Sequence, residues 1–222
     1  MGYDDLPRLL ALLDGDAKHD PAALSTLDVL WVLYDSVLDV APDRLDDPGR
    51  DRFLLSKGHG PSAYYAVLAA SGFLAVEALA TFGRFDSPLG HHPDRALVPG
   101  VEIASGFLGH GLPIAVGVAL GLRGQGRTRP RVVCLLGDGE LDEGSNHEAI
   151  AVAGRFRLER LTAVVIDNGS ATHGWPGGIE TRFAGEGWST AASDARDHAA
   201  IEEAFAAAGA DRPHAVVARC PA

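Results

Sequence analysis

The chain has 222 residues, enough for one α/β domain of ordinary size and few for two. Its hydrophobic fraction of 46% and charged fraction of 22% are typical of a globular protein. The formal net charge of −11 gives a field that repels phosphates, which argues against nucleic acid or an anionic membrane as a partner. The N-terminus is acidic and no apolar run approaches the roughly 20 residues of a membrane span, so we expect a cytoplasmic protein.

Helical and strand patterns alternate along the chain. The spacing of apolar residues predicts helices over 24–38, 62–71, 75–82, 109–122, 146–156 and 197–208. Short apolar runs predict strands over 53–55, 131–136, 161–166 and 214–218. Strands that are apolar throughout and alternate with helices are typical of a parallel sheet buried on both faces. We therefore predict an α/β fold, a doubly wound and mainly parallel sheet with helices on both faces, as a single domain over 1–222.

Two of the predicted strands end in residues suited to a metal and phosphate site. Gly137, Asp138 and Gly139 follow one strand, and Asn168 follows the next, about thirty residues later. Mg²⁺ prefers carboxylate and amide oxygens, and glycines allow phosphates to approach the backbone closely. A lone Gly-Asp-Gly is more often a surface turn. Here Asn168 ends a second strand, so the two strand ends together match the spacing of a thiamine diphosphate fingerprint. We therefore predict that they bind Mg²⁺.

Four stretches in order carry a resemblance to a known family. They are AKHDPAALSTLDVLWVLY from residue 17, SKGHGPSAYY from 56, GHHPDRALVPGVEIASGFLGHG from 90, and the segment from GDG to DNGS over 137–170. Together they resemble the diphosphate-binding part of transketolases over about residues 7–220. The chain looks most like the N-terminal subunit of split transketolases, in which two different chains share one active site.

The resemblance implies a cofactor, a reaction and a partner. The cofactors are thiamine diphosphate and Mg²⁺, and the reaction moves a two-carbon ketol unit from a sugar phosphate donor to an acceptor. The partner is a second transketolase subunit with the pyrimidine-binding and C-terminal domains, in an α₂β₂ assembly. That partner would carry the residues that activate the cofactor, so this chain alone should not turn over. The altered motifs described below favour a biosynthetic acceptor.

The family roles carry over residue by residue. The resemblance gives Asp138 and Asn168 as Mg²⁺ ligands, with a carbonyl from Ser170. The implied catalytic residues, which handle substrate protons near neutral pH, are His19, His59 and His92. The implied cofactor-binding residues are His59, Gly106, Leu108, Gly137, Asp138, Gly139, Glu143 and Asn168. Among them Glu143 matches the acidic residue that couples paired active sites.

The chain departs from the family pattern at three places. The glycines around His19 are absent, His110 replaces a glutamine, and a later histidine that contacts the diphosphate has no counterpart. Either a partner residue replaces that histidine or the reaction differs. Four other histidines are interpreted as structural or solvent-facing: His147, His173, His198 and His214. Three acidic residues are interpreted as a solvated face or an interface: Glu140, Asp142 and Glu148.

Two other functions remain open. An α-type subunit of a 2-oxo acid dehydrogenase or decarboxylase shares the two strand-end motifs, although His59 and His92 fit a transketolase better. A non-catalytic cofactor-binding or regulatory subunit would retain the fold without the activity. The presence of both Asp138 and Asn168 argues against it.

Overall fold

The structure is a computed structural model and describes residues 1–13 and 23–220. In that part of the chain, five strands form one sheet in the order β1-β2-β3-β5-β4, and all neighbours run parallel. The strands are β1 (Arg52–Leu55), β2 (Val132–Gly137), β3 (Leu161–Asp167), β4 (Ser189–Asp194) and β5 (His214–Arg219). His19 lies outside the described residues.

Helices connect the strands and cover the sheet. They are α1 (Leu6–Leu10), α2 (Leu27–Val32), α3 (Ser62–Ala70), α4 (Val76–Leu79), α5 (Gly111–Gly124), α6 (Gly144–Arg155), α7 (Ile179–Gly185) and α8 (His198–Ala206). A π-helical turn, Leu33–Val37, continues α2, and a 3₁₀ turn, Gly139–Asp142, precedes α6. None of the helices in the described part of the chain is both long and apolar enough to cross a bilayer.

Alternate residues of each strand enter two separate cores. Phe53 and Leu55 of β1 pack on one face with α1 to α4 and α8, whereas Leu54 packs on the other with α5, α6 and α7. The same alternation divides the residues of β2, where Val133 and Cys134 belong to opposite cores. This confirms the predicted doubly wound parallel sheet. Cys134 is a free cysteine buried in the second core.

The sequence patterns missed three elements, namely α1, α7 and β4, and misjudged one. The strand β4 is an edge strand of small and polar residues, paired only with β5, so it has no apolar run to reveal it. The helix α7 is only seven residues long. The predicted helix over 75–82 is the four-residue α4, which ends in a turn at Ala80.

Candidate active site

Three loops leave the carboxyl ends of β1, β2 and β3, which are neighbours in the sheet. A fourth segment, 105–111, leads into α5 and packs against the loop that follows β1. The contact is tight: a Cβ on Gly58 would lie 2.7 Å from the nitrogen of Gly106, and one on Gly111 would lie 2.3 Å from the Cβ of Ser56. Only glycine permits this approach of two backbones. We call this edge, formed by 56–60, 105–111, 137–139 and 168–171, the loop rim.

Asp138 ties the loop after β2 to the loop after β3. Its side chain is buried and accepts hydrogen bonds from the backbone nitrogens of Gly139 at 2.9 Å, Ser170 at 2.8 Å and Ala171 at 3.1 Å. The Ser170 hydroxyl donates a fourth, at 2.5 Å. The four hydrogen bonds therefore fix the Asp138 carboxylate at the strand end, where the sequence predicts a metal ligand.

Asn168 offers an acceptor that the described residues leave unused. Its Nδ2 donates to the Ser25 hydroxyl over 3.4 Å, but its Oδ1 is buried and has no hydrogen-bond partner in the described part of the chain. A buried acceptor without a donor is costly, so this oxygen points to a partner beyond the described residues. A second such atom, the hydroxyl oxygen of Ser105, lies in the rim as well.

The oxygen donors of the rim suit a hard divalent cation. Asp138 contributes a carboxylate, Asn168 the free amide oxygen, and Ser170 a carbonyl that would lie 3.4 Å from a Cβ on Gly139. A set of one carboxylate, one amide and one carbonyl fits Mg²⁺, which takes its other ligands from phosphate and water. Within residues 1–13 and 23–220, no group of three or more His, Cys, Asp or Glu side chains is placed to hold a metal, so a zinc-type cluster is not seen there.

The structure brings together two of the three predicted catalytic histidines. The rings of His59 and His92 meet edge to face with centroids 5.2 Å apart. The His92 ring also packs on the backbone of Gly106, where an added Cβ would lie 2.7 Å from Cδ2. Gly106 has φ 131°, a conformation that favours glycine. His59 is half-buried and His92 is exposed, so the pair faces solvent at the loop rim.

The remaining predicted positions lie along the outer side of the rim. Leu108 is 44% exposed, and its neighbour Phe107 is 80% exposed. Glu143 precedes α6 with an exposed carboxylate and packs its aliphatic part against Gly109, where a Cβ would lie 2.6 Å away. Ser145 fixes this contact by donating a 2.6 Å hydrogen bond to the Gly109 carbonyl.

Glu140 was predicted to be solvent-facing or at an interface, and that prediction was wrong. It is only 3% exposed, and its carboxylate accepts hydrogen bonds from the Ser56 hydroxyl, the Gly109 nitrogen and the Gly137 nitrogen. Burial raises the pKa of Glu140, and the three hydrogen bonds and the charge of Lys57 act in the opposite direction. The acidic run around it has the composition of a surface, and two of its three partners, Ser56 and Gly109, are distant in sequence. Three other interpretations are confirmed, since His173 and Glu148 are exposed and His214 is buried and hydrogen-bonded.

Lys57 is the buried cation of the rim. Its Cδ would lie 3.4 Å from a Cβ on Gly137, so the aliphatic chain runs along that glycine. Burial lowers the pKa of Lys57, while the nearby Cys220, Asp138 and Glu140 raise it. A positive charge thus lies beside the predicted metal ligand.

A cavity of about 280 Å³ opens beside Asp138, and neither His59 nor His92 lines it. Arg182 and Trp175 line it, with the guanidinium carbon 4.9 Å from the indole centroid. Burial lowers the pKa of Arg182. Its Nε and Nη2 are enclosed and have no hydrogen-bond partner among the described residues.

The fold and the rim define an α/β protein whose strand ends suit a divalent cation and a phosphate group. Comparison with known proteins narrows this class. Residues 9–221 match the family described as transketolase, thiamine diphosphate binding domain. The chain belongs to the transketolase family and corresponds to that domain.

Relatives and solved structures agree with this assignment. The chain is 59% identical over 216 residues to "Ferredoxin fas2" of Rhodococcoides fascians, covering 97% of this chain and 71% of that protein. It is 39% identical over 174 residues to one subunit of an apulose-4-phosphate transketolase from Actinobacillus succinogenes, covering 74% of this chain and 63% of that one. The crystal structure of a Campylobacter jejuni transketolase matches with a TM-score of 0.78 at 24% identity, over 98% of this chain and 38% of that one, which shows the fold alone. The chain thus spans about two thirds of these relatives and a little over a third of that transketolase.

Proposed function

We propose that this chain binds thiamine diphosphate with Mg²⁺ and acts in the transfer of a two-carbon ketol unit from a ketose phosphate to an acceptor. It would do so as the diphosphate-binding subunit of a two-chain enzyme. The observation that carries the proposal is the buried, unpartnered Oδ1 of Asn168 beside the Asp138 carboxylate, in a glycine-lined rim of a transketolase-family domain.

The metal would be held by Asp138, Asn168 and the Ser170 carbonyl. The diphosphate would lie beside Gly139, which has no side chain to hinder its approach to the backbone. The Gly139 nitrogen donates to Asp138 in the structure, so it would change partner when it meets a phosphate oxygen. The charge of Lys57 adds to the attraction for that anion. Once bound, the cofactor supplies the electron sink for breaking and making carbon–carbon bonds.

The histidine pair would handle the protons of the sugar hydroxyls. His59 and His92 lie at the solvent side of the rim, in contact with each other and with the Gly106 backbone. An imidazole exchanges protons near neutral pH. This suits the removal of a hydroxyl proton as a carbonyl forms during carbon–carbon cleavage, and its return in the reverse step. The role predicted for His19 stays a prediction.

A second chain would complete the site. The relative from Actinobacillus is named as one subunit of a transketolase, which supports a split enzyme. The side chains of Phe107 and Leu108 stand exposed on the loop that the family resemblance places against the pyrimidine ring. We propose that a partner chain with the pyrimidine-binding and C-terminal domains covers them, in an α₂β₂ assembly.

The name of the Rhodococcoides relative does not extend to this chain. Iron–sulfur clusters are held by four thiolates in ferredoxins. This chain has two cysteines, and Cys134 is fully buried within β2. We therefore propose no iron–sulfur function for it.

The reaction is tested on the complex of this chain with its partner chain. We expect thiamine-dependent cleavage of xylulose 5-phosphate or fructose 6-phosphate, and an Asp138→Ala chain in the complex should lose it. Turnover of pyruvate without ketose turnover would instead support the 2-oxo acid dehydrogenase function. Partner activity that is unchanged by Asp138→Ala would support a non-catalytic role.

A further inference from the structure

We propose that Glu140 is a positioning residue that holds three loops of the rim in the arrangement the cofactor needs. What those loops bind rests on the function proposed above. Glu140 itself would touch neither the metal nor the substrate. Its carboxylate would act by fixing the backbone on which the contact groups are carried.

The carboxylate receives one donor from each of three loops. The Ser56 hydroxyl donates to Oε1 at 2.5 Å from the loop after β1, and the Gly109 nitrogen donates to the same oxygen at 3.2 Å. The Gly137 nitrogen donates to Oε2 at 3.2 Å from the end of β2. Ser56 in turn accepts a hydrogen bond from the Gly111 nitrogen at 3.1 Å, which extends the network to the start of α5.

Each donor lies within a few residues of a predicted contact group. Ser56 begins the segment that carries His59, Gly109 follows Leu108, and Gly137 precedes Asp138. Because one buried carboxylate accepts from all three loops, its loss would leave their relative positions less fixed.

The turn that carries Glu140 is anchored separately from its side chain. The Asn146 amide donates a 2.6 Å hydrogen bond to the backbone carbonyl of Glu140, and the Asp138 carbonyl accepts from the nitrogen of Leu141. Removal of the carboxylate should therefore keep the turn and release the loops. This separation makes the proposal testable by substitution.

Asp51 provides a matched control. It is also 3% exposed, and it lies directly before β1, at the opposite end of the same strands. It accepts hydrogen bonds from the Asp39 nitrogen at 2.9 Å and from the backbone and guanidinium nitrogens of Arg131 at 2.6 to 2.9 Å. Its removal should cost stability without moving the rim.

The experiment measures cofactor affinity and stability on the same variants. Thiamine diphosphate is titrated in Mg²⁺ into complexes of the partner chain with the wild-type chain, Glu140→Ala, Glu140→Gln or Asp51→Ala, and urea unfolding of the chains is measured in parallel. We expect Glu140→Ala to weaken binding about tenfold or more. Glu140→Gln should fall between, since its carbonyl can still accept from Ser56 and Gly109 while its amide opposes the Gly137 N–H. Asp51→Ala should bind as the wild type does, although it is less stable.

Hydrogen exchange of the unliganded chains separates this proposal from the proposed function. Glu140→Ala should exchange faster in 105–111 and 137–139, and Asp51→Ala should not. If the complex of the wild-type chain with its partner chain fails to bind the cofactor, the proposed function is wrong, and the exchange result still decides the role of Glu140. Unchanged affinity and unchanged exchange in Glu140→Ala would overturn the inference, as would equal losses of affinity in Asp51→Ala.

Discussion

Two buried carboxylates lie at opposite ends of the same two strands, and their partners differ in kind. Asp51, at the amino end, meets the guanidinium of Arg131, a cation that balances its charge and joins the start of β1 to the start of β2. Glu140, at the carboxyl end, meets a hydroxyl and two glycine nitrogens, all of them neutral donors from loops. The first arrangement fixes the register of the sheet. The second fixes the loops that the sheet presents to a ligand.

The difference shows how one sheet serves stability and binding at separate edges. At the amino edge, charge is neutralised locally and both carboxylate oxygens of Asp51 accept hydrogen bonds. At the carboxyl edge, Asn168 Oδ1 and Ser105 Oγ are buried without partners among the described residues. Both atoms lie in the loop rim, at the edge of the sheet where ligands bind in such folds.

Replacement of Asp51 should have the largest effect on stability. Asp51→Ala removes the acceptor of two backbone nitrogens and of the Arg131 guanidinium, all in a buried place. We expect the free energy of unfolding to fall by about 2–3 kcal/mol. Urea titration monitored by circular dichroism measures it, and Arg129→Ala, an exposed arginine at the same edge, is the control. A loss below about 0.5 kcal/mol would show that this edge is not held by Asp51.

Two glycines of α5 differ in their surroundings, because Gly111 packs against the loop rim and Gly117 does not. A Cβ on Gly111 would lie 2.3 Å from the Cβ of Ser56, whereas one on Gly117 would meet nothing within 4 Å. Gly111→Ala should therefore cost about 1–3 kcal/mol through overpacking and also weaken cofactor binding. Gly117→Ala should stabilise the chain by up to about 1 kcal/mol through helix propensity.

Thermal unfolding and cofactor titration of the two glycine variants measure both effects. A Gly111→Ala chain that is as stable as Gly117→Ala and binds as tightly would show that the close contact with Ser56 is not needed. A Gly117→Ala chain whose affinity for the cofactor drops would show that the rim is not separable from the rest of α5.

The amino edge should also respond to acid, by a smaller amount. His214, the first residue of β5, donates from Nε2 to the Ala204 carbonyl at 2.9 Å and accepts at Nδ1 from the Ser189 hydroxyl at 2.8 Å. Burial lowers the pKa of His214 below its ordinary 6.5. The folded state thus keeps the neutral ring while the unfolded chain takes up a proton as the pH falls through about 6.5. The stability that the neutral His214 ring contributes is present above about pH 6.5 and is lost as the pH falls below it.

We expect a slope of at most about 1.4 kcal/mol per pH unit from His214, between pH 6.5 and its lower folded pKa. Urea unfolding at a series of pH values measures it, and His214→Gln should flatten the curve in that window. An unchanged slope in the variant would assign the acid sensitivity to other groups.

Features that depend on neighbouring residues in the sequence can be predicted from it, and contacts between distant residues cannot. Asp138 and Asn168 are recognisable because each directly follows an apolar strand, and β2 and β3 pair in the order that places them side by side. The strand β4 is hidden because an edge strand of small residues needs no apolar face. A local pattern thus reveals the two residues, and the lack of such a pattern hides the strand.

Glu140 is hidden for another reason. Its carboxylate contacts Ser56 and Gly109, which lie 84 and 31 residues away in sequence. Nothing local distinguishes it from Asp142 or Glu143, which follow it in the same acidic run. The contact of His92 with Gly106 is likewise made between loops, so the motifs predicted both residues but not that one packs on the other.

The most direct test of the central claim is a titration of thiamine diphosphate into complexes of the partner chain with the wild-type chain or with Asn168→Ala, with Mg²⁺ and with EDTA. Because Asn168 Oδ1 has no partner in the described chain, its removal should cost little stability. We predict Mg²⁺-dependent binding to the wild type, lost in EDTA and weakened about tenfold or more in Asn168→Ala at nearly unchanged unfolding free energy. Equal affinity of the two chains, or binding that is indifferent to Mg²⁺, would contradict the account.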